Sequence, residues 1–271
     1  MPVTLSGFAQ KALLGSAFCF LALAFASAWG QDSQCTSDAY DLIAEVREVI
    51  DGDSVLLTDG RQVRFIGVNT PERAKEGRVA EPLADAARAA LIGYLASGNN
   101  RIALDFDSEL QDRYGRLLAH VFLPDGASLS ARLIQDGWGL AIAVPPNLAL
   151  QDCYRLAEQE ARTRRRGVWA DAYYGARDAG VLETRATGFM RVKGRLDRIG
   201  FSRSALWLQI GRLGVRIDKR YLPHFRHWNF HALQGLELEV RGWVSGQGGR
   251  LRMNLKHPND LEVLTASQAR E

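Results

Sequence analysis

The sequence predicts a mainly β protein made of two small barrels, the first of which carries three helices. Short runs of alternating apolar and polar residues occur in both halves of the 271-residue chain, and Asp51-Gly52 and Asp59-Gly60 separate two such pairs of runs as hairpin turns do. Apolar residues at three- and four-residue spacing indicate helices in the first half. A chain with 46% hydrophobic and 24% charged residues is typical of globular domains, which excludes a disordered or collagen-like protein.

The first 28 residues differ from the rest and predict an export signal. Lys11 is the only charged residue before Asp32, and the apolar run from Ala12 to Ala28 ends in the small-residue pattern of a cleavage site. A retained membrane anchor is the alternative. We expect residues 1–28 to be removed, with no membrane contact afterwards, and the mature protein to be periplasmic or secreted.

Removal of this leader takes Cys19 away and leaves Cys35 and Cys153 in an oxidising compartment. Two cysteines allow one intramolecular pairing, so we predict that they form a disulfide. The alternative is two buried or reactive thiols.

Residues 36–172 form the first predicted domain. Its five strand patterns and three helix patterns are typical of a small Greek-key barrel with helices inserted late in the chain. The predicted strands are Ile43–Ile50, Ser54–Thr58, Gln62–Val68, Arg101–Asp107 and Leu117–Leu123. The predicted helices cover Leu83 to Leu95, Leu129 to Ile134, and Leu150 to Ala161 with Asn147 as the N-cap.

Three short clusters in this domain carry residues suited to phosphate chemistry: Asp51–Ser54, Arg64–Glu72 and Asp112–Arg116. Each cluster alone has an ordinary explanation as a turn or a strand edge. Together they supply oxygen ligands for a hard cation, two arginines that can grip a phosphate, and a glutamate that can take a proton from water. These are the components of metal-assisted phosphodiester hydrolysis.

The stretch from Val46 to Trp169 resembles the staphylococcal nuclease (thermonuclease) family. The resemblance rests on D-G-D-S at Asp51–Ser54, the segment from Arg64 to the T-P-E that ends at Glu72, D-R-Y-G-R at Asp112–Arg116, and R-G-V-W at Arg166–Trp169. It implies an OB-fold, the five-stranded oligonucleotide-binding barrel, with three helices.

The resemblance also implies a role for each matching residue. Calcium would be bound by the side chains of Asp53 and Asn69 and by the main-chain carbonyl of Thr70, with Asp51 at most an outer ligand. Glu72 would orient or deprotonate the attacking water.

For the substrate, the resemblance implies that Arg64 and Arg116 clamp the scissile phosphate. Tyr114 would hydrogen-bond the phosphate on the nucleotide side. Asp112, in the same motif, is expected among the substrate-binding residues.

Two positions depart from the family pattern. Asn69 stands where the best-known member has an aspartate, and the loss of one negative charge predicts weaker calcium binding. The segment Leu140–Val144 is wholly aliphatic, whereas the prototype has a tyrosine there that packs on the nucleotide base. Base stacking by this segment is therefore not expected.

Residues 183–265 form the second predicted domain, after a boundary near Tyr173–Leu182. Residues 36–180 contain 17 Lys+Arg and 22 Asp+Glu, whereas residues 181–271 contain 16 and 8, so the second half is basic. Such a charge suggests a polyanion partner, although a solvated basic face explains it as well. The predicted strands are Arg191–Ile199, Ala205–Ile210, Gly214–Asp218, Leu236–Val244 and Arg250–Leu255, which suit a second, smaller OB-like barrel that contacts nucleic acid.

These observations predict an exported, calcium-dependent endonuclease that cleaves DNA and RNA and is monomeric. The family resemblance implies cleavage of the 5′ P–O bond, which leaves 3′-phosphates. One alternative is a catalytically weak or inactive nucleic-acid-binding module on a nuclease scaffold. A barrel that binds oligosaccharide or protein is the other alternative.

Overall fold

The computed structural model describes residues 35–75 and 77–265, which lie in one compact unit. The predicted export signal, with Cys19, falls outside the described residues. Two hydrophobic cores, one for each barrel, are present within this unit. No helix in the described part of the chain has the length and apolar character needed to cross a membrane.

The first barrel closes five strands in the order β1-β2-β3-β6-β5, and the return from β5 to β1 is antiparallel. A separate two-stranded sheet pairs β4 with β7. The strands are β1 (Leu42–Asp51), β2 (Ser54–Leu57), β3 (Gln62–Phe65), β4 (Val68–Asn69), β5 (Arg101–Asp105), β6 (Leu117–Phe122) and β7 (Leu140–Ala141).

Three helices cover this barrel: α1 (Ala84–Ser97), α2 (Leu129–Gln135) and α3 (Gln151–Thr163). In α1 the buried side chains include Ala87, Leu91 and Leu95, so the predicted apolar stripe is the face that meets the core. Two 3₁₀ turns, Gly167–Trp169 and Ala172–Tyr174, follow α3. The predicted barrel with three helices is therefore confirmed.

Two local predictions were wrong. The predicted strand Gln62–Val68 is divided into β3 and β4 by a turn at Ile66-Gly67. Asn147 does not cap α3, because its side chain binds both the backbone N–H (2.8 Å) and the carbonyl (2.9 Å) of Glu109. The residue at the N-cap of α3 is Leu150.

Cys35 and Cys153 form the predicted disulfide, with their Cα atoms 5.7 Å apart. The bond links the N-terminal end of the described chain to α3 and closes a separation of 118 residues. Cys35 is buried in the first core, so the disulfide is an internal cross-link of the first barrel.

The second barrel also closes on five strands, in the order β9-β10-β11-β13-β12, because β12 pairs with β9. Two further strands, β8 and β14, extend the sheet at β9 and β12. The elements are β8 (Arg177–Asp178), β9 (Gly188–Phe201), β10 (Ala205–Ile210), β11 (Leu213–Asp218), α4 (Phe230–Leu233), β12 (Glu237–Gln247), β13 (Arg250–Leu255) and β14 (Leu261–Val263), with 3₁₀ turns at Lys219–Phe225 and Pro258–Asp260.

A buried ion pair joins the two barrels. The Arg241 guanidinium on β12 lies 2.6 Å from a carboxylate oxygen of Glu158 on α3, and both side chains are almost fully buried. The other oxygen of Glu158 accepts the backbone N–H of Ala141 in β7 at 2.7 Å. Because β7 pairs with β4, which carries Asn69, this contact connects the second barrel to the predicted metal ligands.

Candidate active site

The turn Asp51-Gly52-Asp53 brings a buried carboxylate to the end of the first hairpin. The Asp53 N–H donates to the Asp51 carboxylate at 3.2 Å, which fixes the turn. A Cβ on Gly52 would lie 2.7 Å from the Thr70 hydroxyl and 2.9 Å from Ala87. Only glycine fits between these neighbours, and the turn therefore packs tightly against α1 and Thr70.

Asp53 is only 4% exposed, so its carboxylate is poorly solvated although it has a hydrogen-bond donor and an ion-pair partner. Its Oδ2 accepts the Thr70 N–H at 2.8 Å and lies 2.8 Å from the Arg64 guanidinium. Burial raises the pKa of Asp53 to about 7, against the opposing charge of Arg64 and with a further increase from the charge of Asp51. A cation bound beside the Asp51 and Asp53 carboxylates would offset the free-energy cost of burying the charge of Asp53.

A sharp turn between β3 and β4 brings the side chain of Asn69 to Arg64, the ion-pair partner of Asp53. Gly67, at the turn, has φ +84° and would place a Cβ 2.1 Å from the Tyr154 ring, so glycine is required there. The turn brings the Asn69 Oδ1 within 3.4 Å of the Arg64 guanidinium, which also reaches the Phe65 carbonyl at 3.2 Å.

This donor set fits a hard cation that is only partly ligated by protein. The available donors are oxygens, from Asp53, Asn69 and the neighbouring Asp51, and oxygen is what Ca²⁺ and Mg²⁺ bind. The described residues include no group of three or more His, Cys, Asp or Glu side chains that could hold a metal ion. Backbone carbonyl oxygens, water and substrate are the other kinds of ligand that such a cation accepts.

Arg116 is held at the cleft by the turn that precedes β6. Strand pairing places Ser54 opposite Arg64 and Val63 opposite Leu117, so Arg116 lies next to the strand that carries Arg64. This register explains why arginines 52 residues apart in sequence face one site.

The Asp112 carboxylate holds Arg116 rather than lining the cleft. One oxygen lies 2.7 Å from both Nε and a terminal nitrogen of Arg116, and the other accepts the N–H groups of Tyr114 (2.9 Å) and Arg116 (3.1 Å). The Arg116 interaction and these two N–H groups hold the pKa of Asp112 below its usual value against the opposing effect of burial. Its side chain thus positions the arginine, and a direct contact with substrate stays a prediction.

Tyr114 and Glu72 are both exposed side chains of the site. The Tyr114 hydroxyl accepts a hydrogen bond from Arg113 at 2.6 Å, and its ring lies under that guanidinium at 4.8 Å. Glu72 forms an ion pair with Lys75, and its N–H donates to Glu81 at 2.9 Å. Both side chains are accessible to a ligand that enters from solvent.

These residues line one cleft of about 540 Å³. Among the sequence-predicted site residues, those on its wall are Asp53, Arg64, Asn69, Glu72, Tyr114 and Arg116. Thr70 and Asp112 lie behind the wall and contact Asp53 and Arg116. The cleft combines two arginines, the exposed carboxylate of Glu72 and a set of oxygen ligands, which is the arrangement needed to bind and hydrolyse a phosphodiester.

Sequence reasoning missed several residues of this cleft. Lys75 and Arg78 add positive charge from the loop after Glu72. Phe189 and Trp243 enter the wall from the second barrel. Trp243 was one of several aromatic residues in the basic half, but no local pattern placed it beside Arg64, because the contact depends on how the barrels dock.

Comparisons with known proteins agree with this geometry. The family described as staphylococcal nuclease homologue matches residues 62–171. Thermonuclease from Staphylococcus intermedius is 35% identical over 127 residues, which cover 46% of this chain and 74% of the relative. Thermonuclease from Staphylococcus hyicus is 31% identical over 138 residues, covering 50% and 80%, and Endonuclease YncB from Bacillus subtilis is 34% identical over 130 residues, covering 46% and 60%.

The OB-fold barrel and its cleft define a hydrolytic endonuclease. The chain belongs to the staphylococcal nuclease family. Nucleases of this family are generally metal-dependent, in agreement with the oxygen donors of the cleft. The match ends at residue 171, so the second barrel lies outside it.

Proposed function

We propose that the protein is an exported, calcium-dependent endonuclease that hydrolyses the 5′ P–O bonds of DNA and RNA. The observation that carries the proposal is the meeting of Arg64, Arg116 and Glu72 around one cleft that also holds Asp53 and Asn69. Export is supported by the apolar leader and by the disulfide between Cys35 and Cys153, since such bonds persist in oxidising compartments.

The cleft residues divide the reaction between them. Arg64 and Arg116 bind the scissile phosphate and stabilise the charge that grows as water adds to phosphorus. Glu72 takes the proton from that water, the bond from phosphorus to the 5′ oxygen breaks, and the 5′ oxygen leaves with a proton from solvent. The product strands carry a 3′-phosphate and a 5′-hydroxyl.

Calcium would be held by the side chains of Asp53 and Asn69 and by the main-chain carbonyl of Thr70, and would polarise the phosphate when bound. Asp112 keeps the Arg116 fork in place, and Asp53 does the same for Arg64. Asn69 contributes a neutral oxygen, so calcium affinity should be lower than with a carboxylate at this position.

The test is digestion of plasmid DNA, single-stranded DNA and RNA across a calcium titration, with EGTA and magnesium as comparisons. We expect calcium-dependent cutting, 3′-phosphate ends, and a lower calcium midpoint for Asn69→Asp. Cutting that is unaffected by EGTA would refute the metal role. DNA binding without cutting at any calcium concentration would instead show a binding module on a nuclease scaffold.

A further inference from the structure

Two aromatic side chains of the second barrel reach the wall of the nuclease cleft. Trp243 on β12 and Phe189 on β9 are directly paired across the two strands. Both line the same cleft as Arg64, Arg116 and Tyr114. The cleft is therefore built by both barrels, although the family match covers only the first.

The Trp243 ring is available to a ligand. It is 52% exposed, whereas most other large aromatic residues of this barrel, such as Phe225, pack in or against its core. Phe189 packs edge-on against it, with ring centroids 4.9 Å apart and planes at 73°. Phe189 thus supports the indole, and about half of Trp243 remains accessible to a ligand.

The position of Trp243 is fixed by the docking of the two barrels. Arg241 lies two residues earlier and so points to the same face of β12, where it forms the buried ion pair with Glu158. On β9, Arg191 lies two residues after Phe189, pairs with Glu239 at 2.7 Å and stacks on the Trp169 ring at 4.5 Å. The outward face of this strand pair is thus attached to the nuclease barrel up to the edge of the cleft.

The first barrel offers little aromatic surface for a nucleobase. The segment Leu140–Val144 is aliphatic, and Leu140, Ala141 and Ala143 are buried. Tyr114 is the ring that the first barrel contributes to the cleft wall, and Arg113 already lies over it.

We propose that Trp243, supported by Phe189, stacks on an unpaired nucleobase of the strand held in the cleft. The inference rests on the proposed nuclease function for the identity of the ligand. Stacking on an indole is tolerant of base identity, because every base has a π-face. A base can reach the ring only when it is unstacked from its neighbours, so the second barrel should favour single-stranded or locally opened substrates.

The test measures affinity without cleavage. Fluorescence anisotropy in EDTA compares a labelled oligothymidylate with the same oligomer made of abasic nucleotides, for wild type, Trp243→Ala and Trp243→Phe. Phe201→Ala is the matched control, because Phe201 is an exposed aromatic residue on β9 that does not line the cleft. Trp243→Ala should weaken oligothymidylate binding roughly 5- to 150-fold, the loss typical of one stacked base, and should leave abasic binding unchanged.

Trp243→Phe should retain most of the affinity, and Phe201→Ala all of it. Equal losses for the natural and abasic oligomers would show a positioning role and overturn stacking. No loss in Trp243→Ala, or a wild-type protein that prefers neither oligomer, would overturn it as well. A protein that shows the Trp243-dependent preference but never cuts would refute the proposed hydrolysis and leave the stacking site standing.

Discussion

Removal of the Arg241 guanidinium should destabilise the protein more than any exposed charge substitution. In Arg241→Met the carboxylate of Glu158 loses its partner at 2.6 Å, and Asp260 loses one at 3.4 Å. Breaking a buried ion pair from one side typically costs about 3–5 kcal/mol, because the remaining charge stays buried. The pKa of Asp260 is already raised to about 7 by burial, against the charge of Arg241, so this carboxyl will protonate readily when the guanidinium is gone.

The assay is urea denaturation of wild type and variants at a single pH above 7, followed by tryptophan fluorescence. The double variant Glu158→Gln/Arg241→Met removes both charges and should be more stable than Arg241→Met alone. Arg61→Met is the matched control, because Arg61 pairs with Asp59 at the surface, and its urea midpoint should not change.

A loss below about 1 kcal/mol in Arg241→Met would contradict the claim that this pair is an effective buried contact between the barrels. Two separate unfolding transitions in the variant, against one in wild type, would support that claim strongly. The same variant should also weaken binding of oligothymidylate, since Trp243 follows Arg241 on the docked face of β12.

Three further results are expected. Replacing Cys35 and Cys153 with alanine should lower the free energy of unfolding by roughly 4–5 kcal/mol, because the disulfide closes a separation of 118 residues. An unchanged midpoint of urea denaturation would show that the bond is not formed. Arg116→Lys keeps the positive charge but loses the planar guanidinium that Asp112 holds, so the single-turnover cleavage rate should fall about 10²- to 10³-fold. A near-normal rate would show that the guanidinium of Arg116 does not grip the scissile phosphate. Burial, and then the charge of His224, lower the pKa of His257 to about 4, so the contribution of His257 to stability, fully present above about pH 6.5, should fall by roughly 2 kcal/mol between pH 7 and pH 5. The free energy of unfolding of wild type minus that of His257→Asn, measured in urea at the two pH values, should fall by this amount, and an unchanged difference would contradict the lowered pKa.

The fold was largely predictable because its signals are local. Asp51-Gly52 and Asp59-Gly60 mark turns between alternating runs, and these runs became β1, β2 and β3. Apolar residues at helical spacing placed α1, α2 and α3 within a few residues. The break between β3 and β4 was missed because Gly67 also fits a continuous strand, and only its approach to Tyr154 shows that the chain turns there.

The candidate site was predictable to the extent that motifs carry it. Asp53, Arg64 and Arg116 face one another because of strand register, which the hairpin turns largely determine. The supporting role of Asp112 could not be predicted from its motif, because it depends on the distances between its carboxylate and Arg116. Phe189 and Trp243 lie in the cleft wall because the barrels dock through Arg241 and Glu158. These two residues are 83 positions apart, and no periodic sequence pattern predicts their contact.

The decisive measurement is the single-turnover rate at which Glu72→Gln cleaves a labelled DNA strand in calcium. Glu45→Gln provides the control, because Glu45 is an exposed carboxylate on β1 that does not line the cleft. If Glu72 accepts the proton of the attacking water, its loss should slow cleavage about 10²- to 10⁴-fold with oligonucleotide affinity retained, while Glu45→Gln matches wild type. Equal rates for Glu72→Gln and wild type would contradict hydrolysis by the residues assigned to this cleft.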